Sequence, residues 1–462
     1  MTEKLLMAVR DGKPLSYKQQ IKLVWQLSAP AILAQFSSIL MQYIDASMVG
    51  RLGADDSASI GLVATTTWLI GGLCASIGTG FTVQIAHRIG AKEEEKARSI
   101  VKHGLIGVLS VSTIFAVIGI IIHNRLPVWL GGTPEICVNA GKYFLIYACS
   151  LPILQVVYTA GGMIQCSGNM KLPSIVDIIM CMLDVVFNAL LIFPVRSVYI
   201  GNVTFKIPGF GFGVVGAALG TTLAELLCGG VMLYYLLIKS PSLHIRKDSY
   251  EGNIGEEYIR AAKIAFPVSM ESVIMGLSYV AFTKIVAPLG TIALAAHSFS
   301  ITAESLCYMP GYGISHAATT IVGQSLGARR NDITKRLSWL TVGLGVGIMT
   351  LMGILLYIFA PEMIGMLSPD SNIRELGTIV LRIEAFAEPM YAASIVTSGV
   401  FRGAGKTLIS SVLNLVSVWL VRIPLAVILS PVMGLPGVWV AMCSELIIRG
   451  SLFLVWLKRW NI

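Results

Sequence analysis

Apolar residues run along the chain in about twelve blocks, and each is close to the roughly 20 residues that a membrane-crossing helix needs. Short polar or Gly/Pro-marked stretches separate them. The pattern predicts helices 1 to 6 over about 21–49, 60–87, 101–122, 139–165, 173–194 and 212–238. Helices 7 to 12 follow over about 258–287, 294–323, 337–360, 374–401, 407–429 and 437–458. The longest polar segment, 239–257, reads as a linker between a first lobe, 1–238, and a second, 258–462. The charged stretch 88–98, with Lys92-Glu93-Glu94-Glu95-Lys96, reads as a solvated turn, and 197–210, rich in Gly, Val and Pro, as a small hairpin.

The two lobes match without gaps. Pro30 pairs with Pro267, Leu52-Gly53 with Leu289-Gly290, Gly90-Ala91 with Gly327-Ala328, Pro152 with Pro389 and Gly168 with Gly405, each pair 237 residues apart. A repeat of six helices, an even number, enters the membrane both times in the same direction, so the pseudo-twofold axis lies along the membrane normal with a cavity between lobes. The expected fold is therefore an all-α membrane protein, twelve transmembrane helices in two pseudo-twofold-related six-helix bundles. That architecture suits an alternating-access transporter.

Composition agrees, since 55% of the 462 residues are hydrophobic and 13% charged, against roughly 25% charged in soluble domains. The net charge of +9 would suit a nucleic-acid binder, so the placement of the basic residues decides. One face collects nearly all of them, including Lys4, Arg10, Lys92, Arg98, Lys239, Arg246, Lys247, Arg329, Arg330, Arg402, Lys406 and Lys458. The other face has Arg51, Arg125, Lys142, Arg196, Lys206 and Arg374. By the positive-inside rule both termini are cytoplasmic, and the charge expresses topology in an inner membrane, with no nucleic-acid partner. Residues 1–20 lack the apolar core of a signal peptide, so helix 1 directs insertion. The cysteines in apolar runs, Cys74, Cys149, Cys166, Cys181, Cys228, Cys307 and Cys443, show no metal-ligand spacing and read as reduced packing residues.

Chemistry is sought where lipid-compatible runs carry charge. Asp45 near the end of helix 1 costs roughly 2.5 to 3.5 kcal/mol on insertion scales, so a cavity, an ion or a partner must receive it. Helix 5 adds Asp177, Asp184 and Asn188; helix 6 adds Thr221 and Glu225. Asp184 with Asn188, and Thr221 with Glu225, stand four apart and share a helix face. Two carboxylates with amide and hydroxyl oxygens suit sodium, or share a proton. The alternative is that each bonds a neighbouring helix.

The second lobe does not copy these charges: Phe282 stands opposite Asp45, Val421 opposite Asp184 and Asn414 opposite Asp177. It has its own acids, Glu271, Glu304, Glu384, Glu388 and Glu445, and the bases Lys284, Arg382, Arg422 and Arg449. Arg382 with Glu384, and Glu445 with Arg449, read as neutralised pairs. Glu271 and Glu388 lack an obvious local cation and are the candidates for binding a cationic substrate.

Gly399-Val400-Phe401-Arg402-Gly403-Ala404-Gly405-Lys406-Thr407 resembles a phosphate-binding loop but has Val400 where that loop needs glycine. ATP is thereby excluded as the energy source and an ion gradient takes its place. The chain also lacks an intramembrane His/Glu metal pair and a cofactor motif, which argues against a membrane-embedded enzyme.

At this point the chain resembles the MATE (multidrug and toxic compound extrusion) transporters. The resemblance rests on Pro30 followed by Asp45-Ala46-Ser47-Met48-Val49-Gly50-Arg51-Leu52-Gly53, and on Ala287-Pro288-Leu289-Gly290 and Val322-Gly323-Gln324-Ser325-Leu326-Gly327-Ala328. It extends to Arg402-Gly403-Ala404-Gly405-Lys406-Thr407 and Val421-Arg422-Ile423-Pro424. It implies export of amphipathic, cationic drugs or metabolites by antiport against sodium or protons, without a further cofactor, by a monomer whose partners are the small-molecule substrate and the lipid bilayer. A flippase for a lipid-linked or polysaccharide precursor is the alternative. Carried over to this chain, the first-lobe cation site falls on Asp45, Asp184, Asn188 and Thr221, and for sodium these would be the metal ligands. The DinF-like branch commonly has Asn and then Asp on helix 5; here the order is Asp184 then Asn188. Where the NorM-like branch has acids on helices 7 and 10, this chain has Met275 and Tyr391, which favours the DinF-like branch.

Overall fold

In the computed structural model, which describes residues 2–200, 203–245 and 253–460, nearly every block becomes a helix. The chain opens with α1 (Thr2–Arg10), a short amphipathic helix that burial of Leu6 and Val9 fixes to the bundle. The polar start of the sequence does not predict it. Then come α2 (Tyr17–Gly50), α3 (Ala54–Gly90), α4 (Glu94–Ile122), the single turn α5 (Leu126–Trp129), α6 (Pro134–Cys166) and α7 (Lys171–Leu191). Strands β1 (Pro194–Ile200) and β2 (Val203–Phe210) pair antiparallel as the expected hairpin, and α8 (Gly213–Tyr234) ends the first half in a π turn.

The second half holds α9 (Ile254–Val286), α10 (Thr291–Gly327), α11 (Asn331–Leu367), α12 (Ser371–Glu384) and α13 (Glu388–Gly403). It closes with α14 (Thr407–Ser417), α15 (Ile423–Met433) and α16 (Leu435–Arg459). The twelve spans are α2, α3, α4, α6, α7, α8, α9, α10, α11, the pair α12 and α13, the pair α14 and α15, and α16. Arg246 and Lys247 of the linker lie outside the described residues.

Local chemistry sets the boundaries. Ser16 and Gln19 form a reciprocal capping box at the start of α2, with Ser16 N donating to Gln19 Oε1 at 2.9 Å. Gly53 (φ 131°) and Gly290 (φ 102°), repeat mates, precede α3 and α10 in backbone that a side chain disfavours. Lys92 (φ 62°) and Arg329 (φ 55°) adopt the left-handed conformation at equivalent turns, again 237 residues apart. The repeat is thus structural as well as sequential.

One expected helix is broken. Residues 374–401 form no continuous rod, because α12 stops at Glu384 and α13 restarts at Glu388 with Pro389 in its first turn, where a missing N–H costs nothing. α11 packs against the break: a Cβ on Gly353 would lie 2.9 Å from the Ala385 carbonyl oxygen and 3.1 Å from Glu388 Cβ.

The lobes meet at the basic end through symmetric contacts. His87 Nε2 donates to the Gly403 carbonyl at 2.7 Å, and its repeat mate Gln324 donates through Nε2 to the Cys166 carbonyl, mate of Gly403, also at 2.7 Å. Gly90 packs on the Gln324 backbone and Gly327 on the His87 backbone, so closely that a Cβ on either would collide with a carbonyl oxygen. Arg10 of α1 then spans the junction, donating to Gln324 Oε1 (2.9 Å) in one half and to the Ser167 carbonyl (3.1 Å) in the other. Away from this junction, apolar side chains such as Ile121, Leu420 and Val432 face outward, as a lipid environment requires.

Candidate functional site

Three helices of the first lobe bring the predicted polar residues together. α2 carries Asp45, α7 carries Asp184 and Asn188 one turn apart, and α8 carries Thr221. Asn188 Nδ2 donates to Asp45 Oδ1 at 2.9 Å and to Asp184 Oδ2 at 3.0 Å, which ties both carboxylates to one amide. Thr221 and Asp45 both lie within side-chain reach of Asp184. Asp184 and Asn188 are each 1% exposed. Asp184 Oδ1 and Asn188 Oδ1 have no hydrogen-bond partner. Buried oxygens left in that state are costly unless something positive reaches them.

Gly220 permits the approach of α8. Its Cα faces Asn188 so closely that a Cβ there would overlap the amide oxygen. Sequence reasoning did not single it out, because glycine is also common in lipid-facing helices.

Asp177 and Glu225 point elsewhere. They line a cavity of about 230 Å³ between the lobes, together with Ser174 and Thr159 of the first lobe and His316 and Arg402 of the second. Arg402 was expected as a topology marker and as part of the Arg402–Thr407 run, not as a cavity residue, and His316 drew no expectation.

In the second lobe the expected Glu445–Arg449 pair forms at 3.2 Å, and Arg422 joins it at 2.7 Å. Ser417 Oγ also donates to Glu445, at 2.5 Å. A π turn over Val418–Arg422 delivers Arg422 to this contact. The expected Arg382–Glu384 pair does not form. Residues two apart leave a helix on different sides, so Arg382 donates to the Tyr357 carbonyl at 3.3 Å and covers the Tyr357 ring, while Glu384 turns inward with both oxygens unpartnered.

Glu271 accepts from Ser411 Oγ and Asn414 Nδ2, both at 2.6 Å. Glu388, beside the helix break, is 0% exposed with both oxygens unpartnered. Neither lines the interlobe cavity.

The comparisons with known proteins follow the same two-lobed division. The MatE family matches residues 30–190 and again 267–428, two copies whose starts are 237 residues apart. The chain belongs to the MatE family. It is therefore a multi-pass membrane transporter and not an enzyme. Among curated relatives, the probable multidrug resistance protein NorM of Thermotoga maritima is 24% identical over 464 residues, covering 97% of this chain and 95% of that protein. The probable multidrug resistance protein YoeA of Bacillus subtilis is 24% identical over 446 residues, covering 93% of each. Among solved structures, a multidrug resistance MATE family transporter in an outward-facing conformation matches with a TM-score of 0.88 at 20% identity, over 95% of each chain. That likeness shows the twelve-helix, two-lobed fold.

Proposed function

We propose that this MatE protein is an inner-membrane antiporter that exports amphipathic, cationic drugs or metabolites in exchange for sodium or protons. One observation carries the reading: Asp45, Asp184 and Asn188 converge from two helices on a buried point where two side-chain oxygens lack partners. The relatives' names, probable multidrug resistance proteins, support drugs as the cargo class. Met275 and Tyr391, in place of the acids of the NorM-like pattern, support coupling through the first lobe in the manner of the DinF-like branch.

With the basic turns facing the cytoplasm, the Gly90–Gln324 and Gly327–His87 contacts close the cytoplasmic side, and Asp45 lies in the outer half of α2. An ion arriving from outside replaces the Asn188 amide as the positive partner of the two carboxylates. It thereby changes how α2 packs on α7 and releases substrate outward. Departure of the ion to the cytoplasm, after the lobes rock, resets the cycle.

The test is efflux of a fluorescent cation from proteoliposomes under a sodium gradient and, separately, a proton gradient. Export under one gradient and none without it is the expected result. Transport that ignores both gradients, or movement of a lipid-linked precursor in their absence, would overturn the reading in favour of a flippase.

A further inference from the structure

The cavity between the lobes is charged in opposite senses on its two walls. Asp177 of α7 and Glu225 of α8 stand on the first-lobe wall, and Arg402 of α13 on the second, with the neutral imidazole of His316 of α10 beside it as a hydrogen-bonding group. Among the described residues neither acid has a hydrogen bond or an ion pair, and neither does Arg402. The charges face one space without neutralising each other directly. Unpaired charge within a membrane protein is expensive and persists where a guest or water receives it.

Two further groups point to a guest. Ser174 and Thr159, 2% and 1% exposed, line the same cavity with hydroxyl oxygens that lack partners. Ser174 lies one turn before Asp177 on α7, so a hydroxyl and a carboxylate are offered from one helix face.

The repeat shows that the fold does not require these charges. The first-lobe mates of Arg402 and His316 are Gln165 and Thr79, which line the same cavity across the pseudo-twofold axis, and the second-lobe mate of Asp177 is Asn414. The scaffold thus tolerates neutral polar groups at these positions, and the chain places acid on one side and base on the other.

We propose that this cavity is a seat for a compact zwitterion, its ammonium group toward Asp177 and Glu225 and its carboxylate toward Arg402 and His316. Arg402 supplies a planar fork for the carboxylate, and the two acids supply a diffuse negative wall that suits a substituted ammonium. At about 230 Å³ the space lies below the roughly 300–1,000 Å³ of drug pockets, so the guest is small, on the scale of an aromatic amino acid. Because one wall belongs to each lobe, such a molecule is held at both ends only while the lobes are together. This assignment rests on the reading of the chain as an exporter and narrows its substrates to ammonium compounds that also carry a carboxylate.

Three probes separate the charges: the trimethylammonium betaine of phenylalanine, its methyl ester, which keeps only the cation, and N-acetylphenylalanine, which keeps only the anion. Binding to the purified full-length protein is measured by calorimetry. The betaine is expected to bind about tenfold or more tighter than either partner. Arg402→Gln should bring the betaine-to-ester ratio close to one, and Arg402→Lys should partly restore it. An ester that binds as tightly as the betaine, no betaine binding at all, or a ratio unchanged in Arg402→Gln would each overturn the proposal, and the first two need no variant. Failure here is distinct from failure of antiport: gradient-driven efflux of the ester without betaine binding sinks the seat alone, and betaine binding without gradient-driven efflux sinks the antiport alone.

Discussion

Asn188 and Asp45, 143 positions apart in sequence, share a 2.9 Å hydrogen bond, and the same amide nitrogen reaches Asp184 at 3.0 Å. The amide therefore does for two neighbouring carboxylates what a bound cation would do, which is to place positive charge density between them. A cation entering this point must turn the amide so that its oxygen faces inward; that oxygen now lies against Gly220, whose lack of a Cβ leaves the amide room to turn. Gly220→Ala should thus impair ion binding while leaving every charge in place. The loss of a well-placed buried partner costs about 1–3 kcal/mol, equivalent to about 5- to 150-fold in affinity. Ion dependence of efflux in proteoliposomes measures it, and an unchanged half-saturating ion concentration would contradict the role given to Asn188. Asp45→Asn should abolish gradient-driven efflux without loss of expression.

The symmetric contacts at the basic end make a second prediction. Gly90→Ala inserts a methyl group against the Gln324 backbone, and Gly327→Ala does the same against His87. Overpacking of this kind costs about 1–3 kcal/mol. Here it falls on the closed arrangement alone, so the population should move toward the arrangement in which the basic ends part, by about 5- to 150-fold. Spin-label distances between α3 and α10 report the shift. Since the two sites are repeat mates, both substitutions should act in the same direction, and opposite effects would refute their equivalence.

Much of this was legible because the repeat leaves marks that physics requires twice. Gly53 and Gly290 recur where backbone must take positive φ, and Asp45, Asp184, Asn188 and Thr221 stood out as polar groups in lipid-compatible runs. What stayed hidden depends on context across elements. The break after Glu384 follows from Pro389 only once α11 packs against it, since a proline in a membrane helix often does no more than bend it. Arg402 counted as one more basic residue at a helix end until the opposite lobe placed it in a cavity. Arg382 and Glu384 looked paired by proximity in sequence, yet helix geometry separates residues two apart.

Acidification should loosen α1. Asp11, in the turn after α1, accepts from Lys92 at 2.5 Å, and that hydrogen bond holds its carboxyl below the ordinary carboxylate range. A depressed folded-state value means the contact is present above the unfolded value and is lost as pH falls through the folded one. Anisotropy of a fluorophore attached at the N-terminus should therefore drop as pH falls below the usual aspartate range. Asp11→Asn should show slightly reduced anisotropy already at neutral pH and no acid transition, because Leu6, Val9 and Arg10 still hold α1. A transition that survives in the variant would assign the effect to another group.

The second lobe depends on one carboxylate held between two guanidinium groups. Glu445 is fully buried and contacts Arg422 at 2.7 Å and Arg449 at 3.2 Å, and Arg449 is itself 6% exposed. Removing the acid leaves two buried cations facing one another, which costs far more than a hydrogen bond because neither can return to water. Glu445→Gln should accordingly lower stability by about 3–5 kcal/mol, seen as a fall in the melting temperature of the detergent-solubilised protein. Pairing it with Arg449→Met, which removes one cation and refills the volume, should recover part of the loss. If Arg449→Met worsens the Glu445→Gln protein, the repulsion between the two arginines is not what the carboxylate offsets, and packing of the Glu445 stem takes its place.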